Sequence, residues 1–523
     1  MGHLKAPNFR KPQLTREGLG LTTWVKYDKY NPHSDQSTDA RKSLADLDYS
    51  PLRRVTLQSF LMGILISMGG FIFGYDTGQI SGFLEMPDFL ERFGQRHSDG
   101  TYYFSNVRAG LIVALLSIGT LIGALVAGPV ADIIGRRISL FITFGIFLAA
   151  CINFGTYEHQ RGSSASWRIP LGVGFVWPFI LGAGVLLFPE TPRYDYRKGY
   201  TQRAKETMLK VYGAPPNHYS VHVELEEIEA KLKAEAAKES AIREWIHMFS
   251  APKMAYRIAL GMGLQMLQQL TGANYFFYYG TTIFQATGIN NSYVTQMILN
   301  GINFGSTFYG LYIVEHYGRR KSLIVGGLWM SAMFFIFANV GHFSLNRDDP
   351  PSTESSGTAM IVVASFFIFG FATTWGPMVW TICGELYPSR YRAKGMALST
   401  ASNWFWNFLI AFFTPFITGD IDFLYGYVFA GCNLVAVVVV YLFVMEGQGR
   451  TLEELDTMYI LGVKPWQSSS WEAPPAAEIS RIRKEAGTED AAEAGEIQSS
   501  PAPATHNRDS DSTEAEKEIE HRA

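Results

Sequence analysis

Charged side chains are scarce in this chain. They make up 17% of 523 residues, where an ordinary soluble domain carries about 25%. Most of them crowd into the two ends and the middle. A basic excess is missing as well, and the net charge of −3 argues against nucleic acid as a partner. Cysteine is rare: Cys151, Cys383 and Cys432 all lie in apolar runs without metal-ligand spacing, which leaves no disulfide framework or thiolate metal site to expect. No nucleophile–base constellation, metal-ligand cluster or phosphate loop stands in a plausible context, so no enzyme activity, cofactor or metal is expected. Residues 1–50 are polar, and no cleavable signal peptide is read there.

What fills the chain instead is apolar, 47% hydrophobic and 14% aromatic. A helix needs about 20 apolar residues to cross the hydrocarbon. By that rule spans are expected at roughly 57–77, 109–130, 138–157, 168–188 and 257–283. Five more follow at roughly 293–314, 321–343, 358–382, 395–418 and 424–445. Loops rich in Arg and Lys alternate with poorer ones, which puts both termini in the cytoplasm. Between the fourth and fifth spans, Leu225, Ile228 and Leu232 keep a helical spacing, and Glu229–Lys233 is an i,i+4 pair. That pattern predicts surface helices beneath the membrane domain. The stretch after about 466 is rich in Ser, Pro, Ala and Glu and is expected to be disordered. The organisation is a cytoplasmic tail (1–54), a first bundle (55–190), a helical linker (191–254), a second bundle (255–446) and a largely disordered tail (447–523).

The chain repeats itself. "DIIGRR" (132–137) returns as "EHYGRR" (315–320), each at the cytoplasmic end of a span. Two copies in matching places indicate a duplicated bundle. Each copy is followed by an acidic-then-Arg element, "PETPR" (189–193) and "EGQGR" (446–450). Four spans fit between the second pair of landmarks but only two between the first. The duplication predicts twelve spans, and the chain has ten.

With "GYDTGQISG" (74–82), "QQLTGANYFFYYG" (268–280), "WGPMVW…GELYPSRYRAKG" (375–395) and "SNWFWNF" (402–408), the sequence resembles the sugar porter family of the major facilitator superfamily, and in particular fungal hexose transporters. The resemblance covers about 55–460. It implies an all-α membrane protein with the major facilitator fold of two six-helix bundles, here four spans plus six, in the plasma membrane. It also places the gap near Ile138–Leu140, where the end of the family's third span, the fourth and the start of the fifth are absent.

A hexose is a ring of hydroxyls with apolar faces, so its site needs amides and aromatic plates. Gln268, Gln269 and Asn274 supply amides in the fifth span, and a helix break at Gly272 would swing Asn274 toward the cavity. The resemblance adds Asn303, Asn403 and Asn407 as hydroxyl contacts, Trp380 as the plate, and Tyr278 and Tyr279 as the pair that closes over sugar. Gly376–Pro377 is expected to break its helix. Asp132, Arg136, Arg137, Glu190, Arg193, Glu315, Arg319, Arg320, Glu385 and Arg392 resemble the cytoplasmic charge clusters that latch the halves together.

Asp76 stands inside an apolar run, where a carboxylate costs roughly 2.5–3.5 kcal/mol near the bilayer centre. In proton-coupled relatives the matching aspartate carries the proton and pairs with an Arg on the fourth span, a segment missing here. Three readings stay open: a hexose transporter, proton-coupled or not; a glucose sensor of the same fold; and an inactive chain that lacks two helices through splicing or gene-model error.

Overall fold

In the computed structural model the described residues are 48, 56–127, 138–236, 241–287, 291–346, 350–388 and 390–485. Helix occupies each of the ten expected apolar runs. In the first half these are α1 (Leu57–Phe83), α3 (Asn106–Ala127), α4 (Ile138–His159) and α5 (Ala165–Leu187), with a short α2 (Pro87–Phe93) after α1. Four small helices follow: α6 (Pro192–Arg197), α7 (Thr201–Tyr212), α8 (Tyr219–Ala236) and α9 (Ala241–Ser250). The second half holds α10 (Met254–Leu270), α11 (Ala273–Gln285), α12 (Ser292–His316), α13 (Arg319–Asn339), α14 (Glu354–Thr373), α15 (Trp375–Leu386), α16 (Arg392–Ile421) and α17 (Tyr425–Phe443). Two more helices, α18 (Leu452–Leu461) and α19 (Ala476–Glu485), close the described chain. Among the described residues, four stretches are long and apolar enough by length and composition to cross a membrane: Leu57–Phe83, Arg319–Ser344, Glu354–Leu386 and Arg392–Phe443.

Two expected spans are each divided. The first breaks at Gly272, whose φ of 89° suits a residue without Cβ, so α10 and α11 meet at an angle where the amides cluster. The second breaks at Thr374, between α14 and α15, two residues ahead of the expected Gly376–Pro377. Pro377 cannot bond back to Thr373, so the disruption falls on the turn before the proline.

The halves join along three seams, α1 with α11, α3 with α16 and α4 with α12. Within the first half α1 packs on α4 backbone to backbone. A Cβ at Gly74 or Gly78 would collide with the main chain of Ile142 or Ile146, so small residues permit the approach. The principal partner of α3 is α16, across the seam. The second half is cored by rings, with Phe334 stacked on Phe276, edge-on to Phe367 and tilted against Phe429.

The linker forms helices, as its spacing predicts, tied by Tyr212 to Glu224 and by Tyr196 to Glu229, both at 2.9 Å. Leu225 and Ile228 are half-buried; the side chains of Leu232 and Lys233 lie outside the description. The stretch after 466 departs from expectation, because it is ordered as far as Glu485. Asp456 on α18 sits between two guanidinia, Arg257 at 2.5 Å and Arg483 at 3.1 Å. All three side chains are almost fully buried, and this long-range pairing holds α19 in place despite its polar composition.

Candidate functional site

The break at Gly272 gathers most of the expected amides into one network. Asn403 of α16 is its hub. It donates to Gln265 Oε1 at 2.6 Å and Gln268 Oε1 at 2.9 Å, and accepts from Gln269 Nε2 at 2.8 Å. Gln269 Oε1 in turn accepts from Asn274 and, at 3.2 Å, from Asn407. Gln268 Nε2 donates to the carbonyls of Trp375 and Gly376, both at 2.9 Å. It thereby braces the first turn after the α14–α15 break, where irregular backbone inside an apolar bundle needs partners.

Asn407 carries the network to the seam. Its Oδ1 accepts from Tyr278 at 3.1 Å and from Ser117 of α3 at 2.5 Å. Tyr279 donates to the Ala411 carbonyl. Both expected gate tyrosines are buried and held against α16.

Asn303 and Trp380 stand apart from this network. Asn303 is buried on α12, and its side chain makes no hydrogen bond to the cluster among the described residues. Trp380 is half-buried on α15, while Trp375 is fully buried with its indole N–H on the Leu323 carbonyl. Gln265 and Ser117 belong to the network, yet nothing in the sequence singled them out. Gln265 precedes the "QQ" pair by one helical turn, and that spacing alone could have found it.

One pair of the expected charge clusters is in direct contact among the described residues. Arg319 pairs with Glu385 at 3.0 Å. Arg320 reaches the Tyr441 carbonyl at 2.8 Å and lies over that ring. The carboxylate of Glu446, quoted in the repeat but not counted with the latch, takes the backbone N–H groups of Arg319 and Arg320 at 2.8 and 3.1 Å. It caps α13 at the positive end of the helix. Glu315 is exposed, and its carbonyl accepts from Gln448 Nε2 at 2.9 Å. Arg392 makes no ion pair among the described residues. Glu190 is half-buried and Arg193 exposed. Asp132, Arg136 and Arg137 lie outside the described residues.

Asp76 is half-buried on α1, and its carboxylate accepts from Gln79 Nε2 at 3.1 Å. Among the described residues no basic side chain pairs with it.

At the end of the bundle away from the linker, the halves are fastened together. Tyr157 stacks on Tyr293 at 4.1 Å, and the Tyr293 hydroxyl donates to the Gly82 carbonyl at 2.9 Å. Asn291 donates to Glu158 at 2.8 Å, and Thr282 to Glu85 at 2.7 Å. Ser81 and Thr281 are joined at 3.0 Å.

Comparison with known proteins adds three findings. The family model described as "Sugar (and other) transporter" matches residues 62–142 and 138–459, two pieces that meet where the gap was expected. A high-affinity fructose transporter of Schizosaccharomyces pombe is 38% identical over 480 residues, covering 79% of this chain and 89% of that protein. A low-affinity glucose transporter of Saccharomyces cerevisiae is 40% identical over 475 residues, covering 78% and 83%. In both alignments the positions outnumber the residues this chain supplies, so each relative has stretches without a counterpart here. Among solved structures, the proton:xylose symporter XylE bound to 6-bromo-6-deoxy-D-glucose shares the fold. Its TM-score is 0.58 at 19% identity, covering 77% of this chain and 99% of that one.

Proposed function

The chain belongs to the sugar transporter family of the major facilitator superfamily, a family of multi-pass, non-enzymatic carriers, and on that premise we propose that it moves hexoses across the plasma membrane by alternating access. Both termini are cytoplasmic, and ten spans cross the bilayer. The observation that carries this reading is the amide network around Asn403, whose donors and acceptors match a ring of hydroxyls. Its members bond to one another when no sugar is present and exchange those bonds for sugar hydroxyls on binding. Asn303 and Trp380 line the route rather than the hub. The fastened end is the outer one, so this arrangement is closed to the outside.

Asp76 is the candidate for proton coupling. Its partner Gln79 is neutral, and among the described residues no basic side chain pairs with it to supply the switch that links protonation to sugar arrival. The arrangement therefore favours facilitated diffusion. Uptake of labelled glucose and fructose in yeast stripped of its own hexose carriers tests the proposal. Saturable uptake insensitive to a protonophore is expected; uptake abolished by the protonophore would make transport proton-driven, and no uptake would remove the transport reading.

The first half itself supports a second reading, that the chain as written lacks a two-helix segment. The family match divides at 138–142, and α5 leaves the large apolar side chains of Phe175 and Phe179 mostly exposed. Sequencing the transcript across codons 137–142 decides it, since a longer message would place the gap in the gene model.

A further inference from the structure

Among the described residues, the buried side-chain amide of Asn300 has no hydrogen-bond partner. Asn300 on α12 is 0% exposed, and neither its Nδ2 nor its Oδ1 is hydrogen-bonded. A buried side-chain amide with every bond unmade costs free energy and calls for an occupant that the protein chain does not provide.

Its direction follows from its neighbours. Four residues earlier, Gln296 donates to the carbonyls of Phe276 and Phe277 at 3.2 and 3.4 Å, so that face of α12 lies on α11. Four residues later, Phe304 packs against Phe144 and Phe147 of α4, with centroids 5.2 and 6.0 Å apart. Each four-residue step turns the face by roughly 40° on a helix of 3.6 residues per turn. Asn300 therefore points midway between α11 of the second half and α4 of the first, into the seam that must part during transport. The register set by Tyr157 on Tyr293 and Phe147 on Phe304 brings it level with Ala150 and Cys151, of which only the thiol is a hydrogen-bonding group, a weak one, and it makes no bond to Asn300.

Asn300 also has company along its helix. Gln296, Asn303 and Thr307 lie on the same side and are all buried, and Gln296 Oε1 is likewise without a partner. These four polar residues form a strip that descends from the fastened end toward the centre of the bundle.

We propose that Asn300 is a substrate-binding residue, contacting a hexose hydroxyl as the sugar passes between the fastened end and the amide network. This rests on the transport reading and adds to it a contact on the first half's side of α12. A group held in reserve for a ligand is a liability to the empty protein, so removing it should cost affinity without costing stability.

The test is equilibrium binding of radiolabelled glucose to the purified full chain, with the four monodeoxyglucoses as competitors. Wild type, Asn300→Leu, Asn300→Ala and Gln269→Ala are compared, with melting temperatures measured in the absence of sugar. Both Asn300 variants are expected to bind glucose about tenfold more weakly and to melt no lower than wild type. One deoxyglucose that wild type disfavours should compete with glucose on equal terms in these variants. The proposal is overturned if both variants bind glucose and its deoxy analogues as wild type does while Gln269→Ala binds weakly, or if affinity falls only together with the melting temperature. No glucose binding by wild type would overturn the transport reading and this proposal with it.

Discussion

In the second half of the bundle, Trp375, Phe334, Phe337, Phe367 and Phe429 are each less than 2% exposed. In the first half, α5 carries Phe175 and Phe179 at 76% and 77% exposure, and α3 carries Leu115 and Ile122 at 57% and 59%. The second half thus has an aromatic core of its own, while the first half is held by the close approach of α1 and α4 and by the α3–α16 seam. Lipid tails cover exposed rings at little cost, because helices in a bilayer are not driven together by the hydrophobic effect. Polar groups are another matter. Asp76, and the indole N–H of Trp177 that has no partner among the described residues, sit in the first half. Both halves keep buried polar atoms without partners among the described residues, so the contrast concerns apolar packing: the first half leaves more of its large side chains to lipid.

The largest effect should come from completing it. Inserting a relative's corresponding helix hairpin between Arg137 and Ile138 should raise hexose uptake at least tenfold over the chain as written, measured in the carrier-deficient yeast. Equal uptake by both forms would mean that four helices suffice, and the contrast between the halves would lose its functional weight.

Next comes the base of the second half. Asp456→Ala would strand Arg257 and Arg483 in a buried site, and removing one partner of such a pair costs about 3–5 kcal/mol. Thermal unfolding of the purified protein should show a large drop, with α19 released first by proteolysis. An unchanged melting temperature would show that the second half does not depend on this triad.

The fastening between the halves should respond more mildly. Tyr293→Phe removes one hydrogen bond to the Gly82 carbonyl, a loss of about 1 kcal/mol, which shifts the closed-to-open ratio roughly fivefold. Labelling of a cysteine placed beneath the fastened end should speed up by that factor, and an unchanged rate would show that the fastening does not set the equilibrium.

The smallest effect concerns acid. Glu85 lies just beyond the end of α1, and burial raises its carboxyl above the usual range, opposed by the hydrogen bond from Thr282. A carboxyl that holds its proton more tightly when buried favours the closed arrangement at low pH. That preference fades as pH rises through the raised value. Glu85→Gln should remove this pH dependence from the labelling rate, and a dependence that persists in the variant belongs to another group.

Much of this was legible because hydropathy and breakers act locally. The apolar runs marked their helices, and Gly272 announced the bend that gathers Gln268, Gln269 and Asn274 beside Asn403 and Asn407. The second break fell at Thr374 because a proline disturbs the turn behind it. The ordered tail was hidden, since its anchor joins Arg257, Asp456 and Arg483, which are far apart in the chain. Gln265, Ser117 and Asn300 were hidden for another reason. A single polar residue in a span reads as packing until its partners, or their absence, can be seen.

The central claim is that the network around Asn403 grips a hexose, and titration calorimetry of the purified chain with glucose tests it most directly. Saturable heat is predicted for wild type, with affinity at least tenfold weaker in Gln269→Ala. No saturable heat in wild type, or identical titrations for the two proteins, would contradict it.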